Sequence, residues 1–285
     1  MILSLHPLIL ADRQIILGPR PVDQALGEEI QRADAVILPQ TCSEDLYRAT
    51  QLGGAAVFPS YGPRFAYPGK SGQARMFAHW GFPHPETKCW SCVGMLRSWT
   101  ETWRRLPHEP PFVVKSDFSH EGEGVWLVED GETMEESLRV LEVKERSGVG
   151  GFVTQSMIPS AGNALRAVIL ERRVYTYWKR APEGELLATI SRGARVDKKW
   201  RPDLQAEGAD AAMRLRERLG INLAAVDMVF DLTEPEPSPV LLEVNYSFGR
   251  RGLGGGDRYY RLLLRAVRDW LKMEGFDPGR VGLCC

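Results

Sequence analysis

Two apolar runs in the second half of the chain constrain its fold more than any other feature. In Val240-Leu241-Leu242-Glu243-Val244-Asn245-Tyr246-Ser247-Phe248-Gly249, a buried strand pattern is interrupted by Glu243 and Asn245. Side chains alternate faces along a strand, so these two point the same way while Leu242 and Val244 point into a core. Asn222-Leu223-Ala224-Ala225-Val226-Asp227-Met228-Val229-Phe230 is a second apolar run, broken by a single carboxylate, Asp227. Between them, Thr233-Glu234-Pro235-Glu236-Pro237-Ser238-Pro239 has the composition of a turn or loop. A hairpin closed there brings Asp227, Glu243 and Asn245 together on adjacent strands. Two carboxylates and an amide oxygen are hard ligands, suited to Mg²⁺ carrying a nucleotide's phosphates. The alternative is a hairpin whose three polar residues face solvent; against it stands the cost of burying an unpaired carboxylate.

The 285 residues suffice for two domains, or for one large one with a lid. Residues 1–69 alternate strand and helix: strands at 14–17, 35–38 and 55–58, helices at 21–33 and from Ser43, as N-cap, to about 52. The apolar N-terminus lacks a basic n-region and meets Asp12-Arg13, so a core strand is expected there rather than a signal peptide. Such alternation implies a small parallel sheet flanked by helices. No Gly-x-Gly-x-x-Gly follows a strand, and Gly69-Lys70-Ser71 lacks the first glycine of a P-loop because position 64 is Arg64.

Lys70 opens an amphipathic helix over 71–80 that stops at Gly81. Trp90, Trp99 and Trp103 follow at near-helical spacing and read as core packing. Phe112-Val113-Val114-Lys115 is a strand ending in a lysine, and the turn at 116–124 holds Ser119, Gly122 and Gly124 before the strand 125–128. Glycines in such a turn let backbone N–H groups close over phosphates. With a helix at 132–146 and a strand at 152–155, the block 111–157 reads as a mobile lid. Beyond it lie strands at 164–170 and 173–178, the segment 186–191 ahead of Gly193, a helix at 203–219 and a closing amphipathic helix at 258–272.

Lysine plus arginine number 36 against 37 acidic residues, which gives no support to a sequence-independent nucleic-acid binder. No run approaches the roughly 18 apolar residues of a membrane span. Cys89-Trp90-Ser91-Cys92 has C-x-x-C spacing without a second pair to complete a zinc site, and is read as reduced thiols in a cytoplasmic protein. Cys284-Cys285 stays unassigned, and of the five histidines only His120 stands out for testing.

In order and spacing these pieces resemble the ATP-grasp superfamily of carboxylate–amine ligases, over 70–256, in the branch of ribosomal protein S6 modification enzymes, glutathione synthetase and D-alanine–D-alanine ligase. The resemblance implies an α/β and α+β chain: an N-terminal parallel domain (1–69), connecting helices (70–110), the lid (111–157) and a large antiparallel subdomain (158–285). It implies that Lys70, Lys115, Ser119, Gly122 and Gly124 bind ATP phosphates. Gln155, Ser156, Met157 and Ile158 would read adenine through the backbone, and Asn163 stands where the family has an acidic ribose contact. Asp227, Glu243 and Asn245 match the ligands of one or two Mg²⁺. Arg166, Arg180 and Arg250 are the candidates for γ-phosphate or substrate carboxylate, since guanidinium forks match both. Arg250-Arg251 is either a flexible exit from the strand or an anion pocket for the second substrate.

The reaction implied activates a carboxylate as an acyl phosphate and joins it to an amine. The partners are small-molecule or peptide acids and amines, with homodimerisation left open. A silent ATP-binding protein and a small-molecule kinase on the same fold remain alternatives. Thr189, where the family has asparagine, and Tyr246-Ser247-Phe248 after Asn245 depart from the pattern and block any transfer of substrate identity.

Overall fold

Four short strands, Arg13–Gln14, Ile2–Ser4, Ala35–Ile37 and Ala56–Phe58, lie side by side in that order, all parallel. The structure, a computed structural model, describes residues 1–18, 21–118, 124–182 and 193–284. Helices Gln24–Gln31 and Glu44–Leu52 flank this sheet, capped by Asp23 and by Ser43, whose hydroxyl accepts from the Leu46 N–H. Such a cap satisfies one of the four orphan donors at a helix start. The expected strand at 14–17 shrinks to Arg13–Gln14, and Ile16 is exposed. As an edge strand it has one neighbour only, so further extension would leave its outer backbone groups unpaired.

The larger sheet has five antiparallel strands in the order Arg195–Asp197, Arg173–Arg180, Asn163–Leu170, Leu223–Val229, Val240–Asn245. Its two faces follow from strand alternation. Leu165, Ala167, Ile169, Ala224, Val226 and Met228 share one core with the helix Pro202–Leu219 and with the N-terminal unit. Val168, Leu170, Leu223 and Ala225 pack on the closing helix Gly256–Met273 through Tyr259, Leu263 and Val267. The helix Pro202–Leu219 approaches closely only because position 208 is glycine: a Cβ there would stand 2.2 Å from Leu165.

A third sheet, order Thr87–Trp90, Phe152–Ser156, Phe112–Ser116, Val125–Val128, packs on helices Val93–Trp103 and Gly131–Arg146 around its own cluster. Its edge strand Thr87–Trp90 lies outside the expected 111–157 block, so this unit reaches further back along the chain than the hairpin pattern suggested. Trp90 is buried there, whereas Trp103, at the end of its helix, is exposed and is not core. The segment 186–191 falls outside the described residues. No helix among the described residues is long and apolar enough to cross a membrane.

Candidate active site between the two antiparallel sheets

The register of the large sheet sets Tyr177, Arg166, Asp227 and Glu243 directly opposite one another on successive strands. Opposed residues share a face, so these four form a row across the sheet on the side of the closing helix. The apolar part of that face is covered by the helix; the row continues past it. Between Asp227 and Met228 the pairing slips: Asp227 faces Glu243 while Met228 faces Leu241. Leu242 is the extra residue of this bulge. It is therefore Leu241 and Val244 that enter the core, not Leu242 and Val244 as strict alternation predicts.

The expected trio does meet. The Asn245 amide donates to Glu243 Oε1 at 2.9 Å and to Asp227 Oδ2 at 3.3 Å. Asp227 is the most enclosed of the three, 2% exposed. Arg166 holds it in a bidentate fork, Nε to Oδ1 at 2.7 Å and Nη2 to Oδ2 at 2.6 Å, and Lys179 Nζ donates to Oδ2 at 2.9 Å. Burial alone would raise the Asp227 pKa, but the charges and hydrogen bonds of Arg166 and Lys179 overcome it and hold it well below the carboxylate range. The same pairing, against burial, raises Arg166. Sequence reading missed Lys179. Its signal is its place two residues beyond Tyr177, on the face of the row, which becomes visible only with the pairing register.

Lys115 projects from the smaller sheet. Phe112 and Val114 alternate into that sheet's own core, which turns Lys115 to the opposite side. There burial lowers its pKa to about 8, opposed by Glu243 and Asp227 and assisted by Lys70 and Lys179. The carboxylates of one sheet thus act on the lysine of the other. Lys70 is likewise lowered, by burial first, with Glu243 and Asp117 opposing.

Two further residues, neither expected, hold the helix Gly69–Trp80 in place. Pro68, its N-cap, offers no side-chain cap; instead Asp117 Oδ1 accepts from the Ser71 N–H at 2.6 Å. Gly69, at φ +69°, leaves room for that carboxylate, since a Cβ would stand 2.8 Å from it. One turn on, Gln73 Nε2 donates to the Val244 carbonyl at 2.9 Å and Gln73 Oε1 accepts the Val244 N–H at 2.7 Å. This side chain takes the place of a neighbouring strand at the sheet edge, between Glu243 and Asn245.

The other expected residues are placed as follows. Gly124 ends the lysine hairpin, its carbonyl accepting from Ser116 N at 2.8 Å. Ser119 and Gly122, with His120, Thr189, Ser191 and Arg192, lie outside the described residues. Gln155 donates to Thr87 Oγ1 at 3.0 Å, and its Oε1 is buried with no partner among the described residues. Ser156 N–H is engaged by the Glu86 carbonyl, leaving Met157 and Ile158 to follow as non-strand backbone. Asn163 turns its amide back onto the carbonyls of Ser160 and Ala161 at 3.0 and 2.9 Å. Arg180 leans on Trp200, 4.5 Å from the ring centroid, beside Asp197. Arg250 lies over Tyr259 and Tyr260 rather than in the row. Cys89 lies within the strand Thr87–Trp90 and Cys92 is the N-cap residue of the next helix, but burial raises the Cys89 thiol, the reverse of a reactive thiolate.

The donor set suits a hard divalent cation. Among the described residues Glu243 Oε1 accepts from Asn245, and a cation would reverse the Asn245 amide to present oxygen. Asp227 joins them once its clamp loosens, since both its oxygens already accept from Arg166 and Oδ2 also from Lys179.

A profile of the RimK-like ATP-grasp domain matches residues 95–256. No curated protein matches the sequence. Among solved structures, a RimK-domain ATP-grasp protein of Sphaerobacter thermophilus covers 92% of this chain and 97% of its own, at 18% identity and TM-score 0.58. The D-alanine–D-alanine ligase of Bacillus anthracis covers 92% and 86%, at 15% identity and TM-score 0.62. D-alanyl-alanine synthetase A of Vibrio cholerae covers 84% and 77%, at 13% identity and TM-score 0.60. At these identities the likeness is one of fold.

Proposed function

The chain belongs to the RimK-like ATP-grasp family, and from that premise we propose that it is an ATP- and Mg²⁺-dependent ligase. It activates a carboxylate as an acyl phosphate and joins it to an amine. One observation carries the reading: Lys70, Lys115, Lys179 and Arg166, from three separate parts of the chain, surround a pair of carboxylates, Asp227 and Glu243, across the gap between two sheets. Phosphoryl transfer asks a protein for position and charge rather than for a nucleophile, and this is a set of positioned charges. Mg²⁺, when held by Glu243, Asn245 and Asp227, would neutralise charge on the transferring and leaving oxygens.

The residues themselves have distinct tasks. Lys115 and Lys70 act as point charges toward the phosphates, each poorly hydrated and so each strengthened by an anion. Arg166 and Lys179 hold Asp227 in place and supply positive charge on the far side of it. Gln73 fixes Val244, and with it the direction of Glu243 and Asn245. Gln155 Oε1, buried and unsatisfied among the described residues, lies one residue before Ser156, where an adenine amino group would satisfy it. We place the protein in the cytoplasm, where ATP is available and where the free thiols of Cys42, Cys89 and Cys92 persist.

The test is product analysis with ATP, Mg²⁺ and panels of small acids, peptides and amines. ADP and phosphate released together with a new amide is the expected result. ADP with a phosphorylated product would identify a kinase, and ATP binding without turnover on any panel a silent binder.

A further inference from the structure

The closing helix Gly256–Met273 turns Tyr259, Leu263, Val267 and Trp270 onto the large sheet. Its opposite side is basic. Arg258, Arg261, Arg265, Arg268 and Lys272 recur every three or four residues, and all five are exposed. At about 3.6 residues per turn they fall within an arc of about 80°, centred opposite the buried face, and the line they form is about 21 Å long. No acidic residue of the helix lies within that arc. Asp257 and Asp269 border it, one on each side, and Asp269 is held by Arg173.

This line of charge works against the helix that carries it. Each neighbouring pair, from Arg258 and Arg261 to Arg268 and Lys272, stands three or four residues apart, where like charges repel. Arg258 is in the first turn, where the helix dipole disfavours a cation; only Lys272, in the last turn, is favoured by it. None of the five has a described carboxylate within 4.0 Å. Other exposed helices of the chain pair their charges instead, Arg32 with Glu28 and Arg48 with Glu44, each one turn apart. A merely solvated face needs neither a single sign nor a single line. An anionic partner would relieve the repulsion at every turn.

Four of the five are arginine, whose planar fork grips carboxylate or phosphate through two hydrogen bonds. Width and pitch decide between those anions. A major groove or an anionic membrane surface would bring phosphates over the flanks of the helix as well as its crest, and the flanks carry Asp257 and Asp269. A partner as narrow as the line itself avoids them. Successive cations are about 5 Å apart along the axis, which is close to the pitch of an α-helix (about 5.4 Å) and shorter than the about 6.7 Å between same-face residues of a strand. Half-buried Leu262 and Leu264, just outside the arc on either side, offer apolar contact to the edges of such a helix.

We propose that this crest is a docking surface for an acidic helix of a partner protein, which presents about one carboxylate per turn to the line of cations. The crest points away from the sheet that bears Asp227 and Glu243, so it recruits and does not react. The proposal stands whether or not the chain is a ligase.

The test is fluorescence anisotropy on the full chain. The probes are a labelled helical peptide of about four turns with glutamates along one face, the same composition with its glutamates scattered around the helix, and a duplex RNA; flotation with phosphatidylserine vesicles completes the set. The expected result is a Kd for the one-faced peptide at least tenfold below that for the scattered peptide or the RNA, with no vesicle binding. Arg261→Gln/Arg265→Gln should raise that Kd at least tenfold and leave ATP binding unchanged. Lys198→Gln/Lys199→Gln, which removes two exposed cations elsewhere, should leave it within twofold. Thermal melting checks the fold of each variant, and the Arg261/Arg265 pair should melt no lower than the parent because repulsion is relieved; if it does not fold, Arg265→Gln alone carries the comparison. Equal affinity for the two peptides, an equal loss in the Lys198/Lys199 pair, tighter binding of RNA, adsorption to vesicles, or no peptide binding each overturns the proposal.

Discussion

Asp227 and Glu243 face each other across one pair of strands, yet their surroundings give them different work. Asp227 is saturated by Arg166 and Lys179, so Asp227→Asn would leave two cations partly buried without their anion. Breaking a buried pair in this way costs about 3–5 kcal/mol, and the melting temperature of that variant should fall accordingly. Its folded pKa lies below the unfolded value near 3.9, so the stabilisation is complete above about pH 4 and is lost as the pH falls below it. Asp227→Asn should therefore flatten the acid limb of the stability profile. Glu243→Gln, with no salt bridge to Glu243 among the described residues, should melt close to the parent and lose ADP release by at least 100-fold; a Glu243→Gln protein with full turnover would remove the cation assignment. Lys115 works in the opposite sense. Its folded pKa of about 8 is below the unfolded 10.5, so the folded state binds fewer protons between those values and stability rises with pH across that window. Below pH 8 the buried charge opposes folding. Lys115→Met should then be more stable than the parent at pH 7, by roughly 3 kcal/mol from the size of such a shift, lack the rise between pH 8 and 10.5, and bind ATP at least tenfold more weakly. Melting curves against pH with ATP titrations check both halves.

At the scale of elements, the helix Gly69–Trp80 is the piece that joins Lys70, and through Asp117 the hairpin of Lys115, to the strand of Glu243 and Asn245. Gln73→Ala would leave the Val244 N–H and carbonyl without partners at a partly buried edge, a loss of about 1–3 kcal/mol per unsatisfied group. The effect should reach beyond stability. Freed at Val244, Glu243 and Asn245 lose their common direction, so the Mg²⁺ concentration for half-maximal turnover should rise several-fold, and Gln73→Glu should not restore it because a carboxylate cannot donate to the Val244 carbonyl. A parent-like Mg²⁺ dependence in Gln73→Ala would show that the edge holds without it. Gln73 also marks the limit of what the sequence disclosed. Strand periodicity and the isolated polar residues in apolar runs were enough to find Asp227, Glu243, Asn245 and Lys115, because a carboxylate or ammonium in a β-run is costly unless it has work to do. The Gly81 stop and the Ser43 cap were legible for the same local reason. Lys179, Gln73 and Asp117 were not, since each acts on a residue 46 to 171 positions away, and nothing in its own neighbourhood marks it. The bulge at Leu242 was invisible too: it is a property of two strands in register, and it exchanged Leu241 for Leu242 in the core.

Over the whole molecule the charges nearly cancel, 36 basic against 37 acidic, so no long-range field draws a nucleotide in. The attraction is local. Among the described residues around the row, Lys70, Lys115, Lys179 and Arg166 outnumber Asp227 and Glu243, and Asp117 is engaged at the helix start. A site of this balance takes an anion before a cation. The N-terminal unit and the large sheet share one apolar core, whereas the smaller sheet packs around its own, so a nucleotide placed between Lys115 and Glu243 bridges two separately packed bodies. Its phosphates would relieve repulsion among the lysines of both, and would bring Mg²⁺ to Glu243 and Asn245 as part of the same complex. Mg²⁺ alone meets an excess of positive charge and an Asp227 held by Arg166. In thermal melts, then, millimolar Mg²⁺ alone should leave the transition where it is, ATP with EDTA should raise it slightly, and ATP with Mg²⁺ should raise it by about 5 °C or more at a hundredfold excess over Kd. The order is the informative part: stabilisation by Mg²⁺ alone as large as that by the pair would mean that the carboxylates stand free of their clamp, and that the cation, not the nucleotide, organises the site.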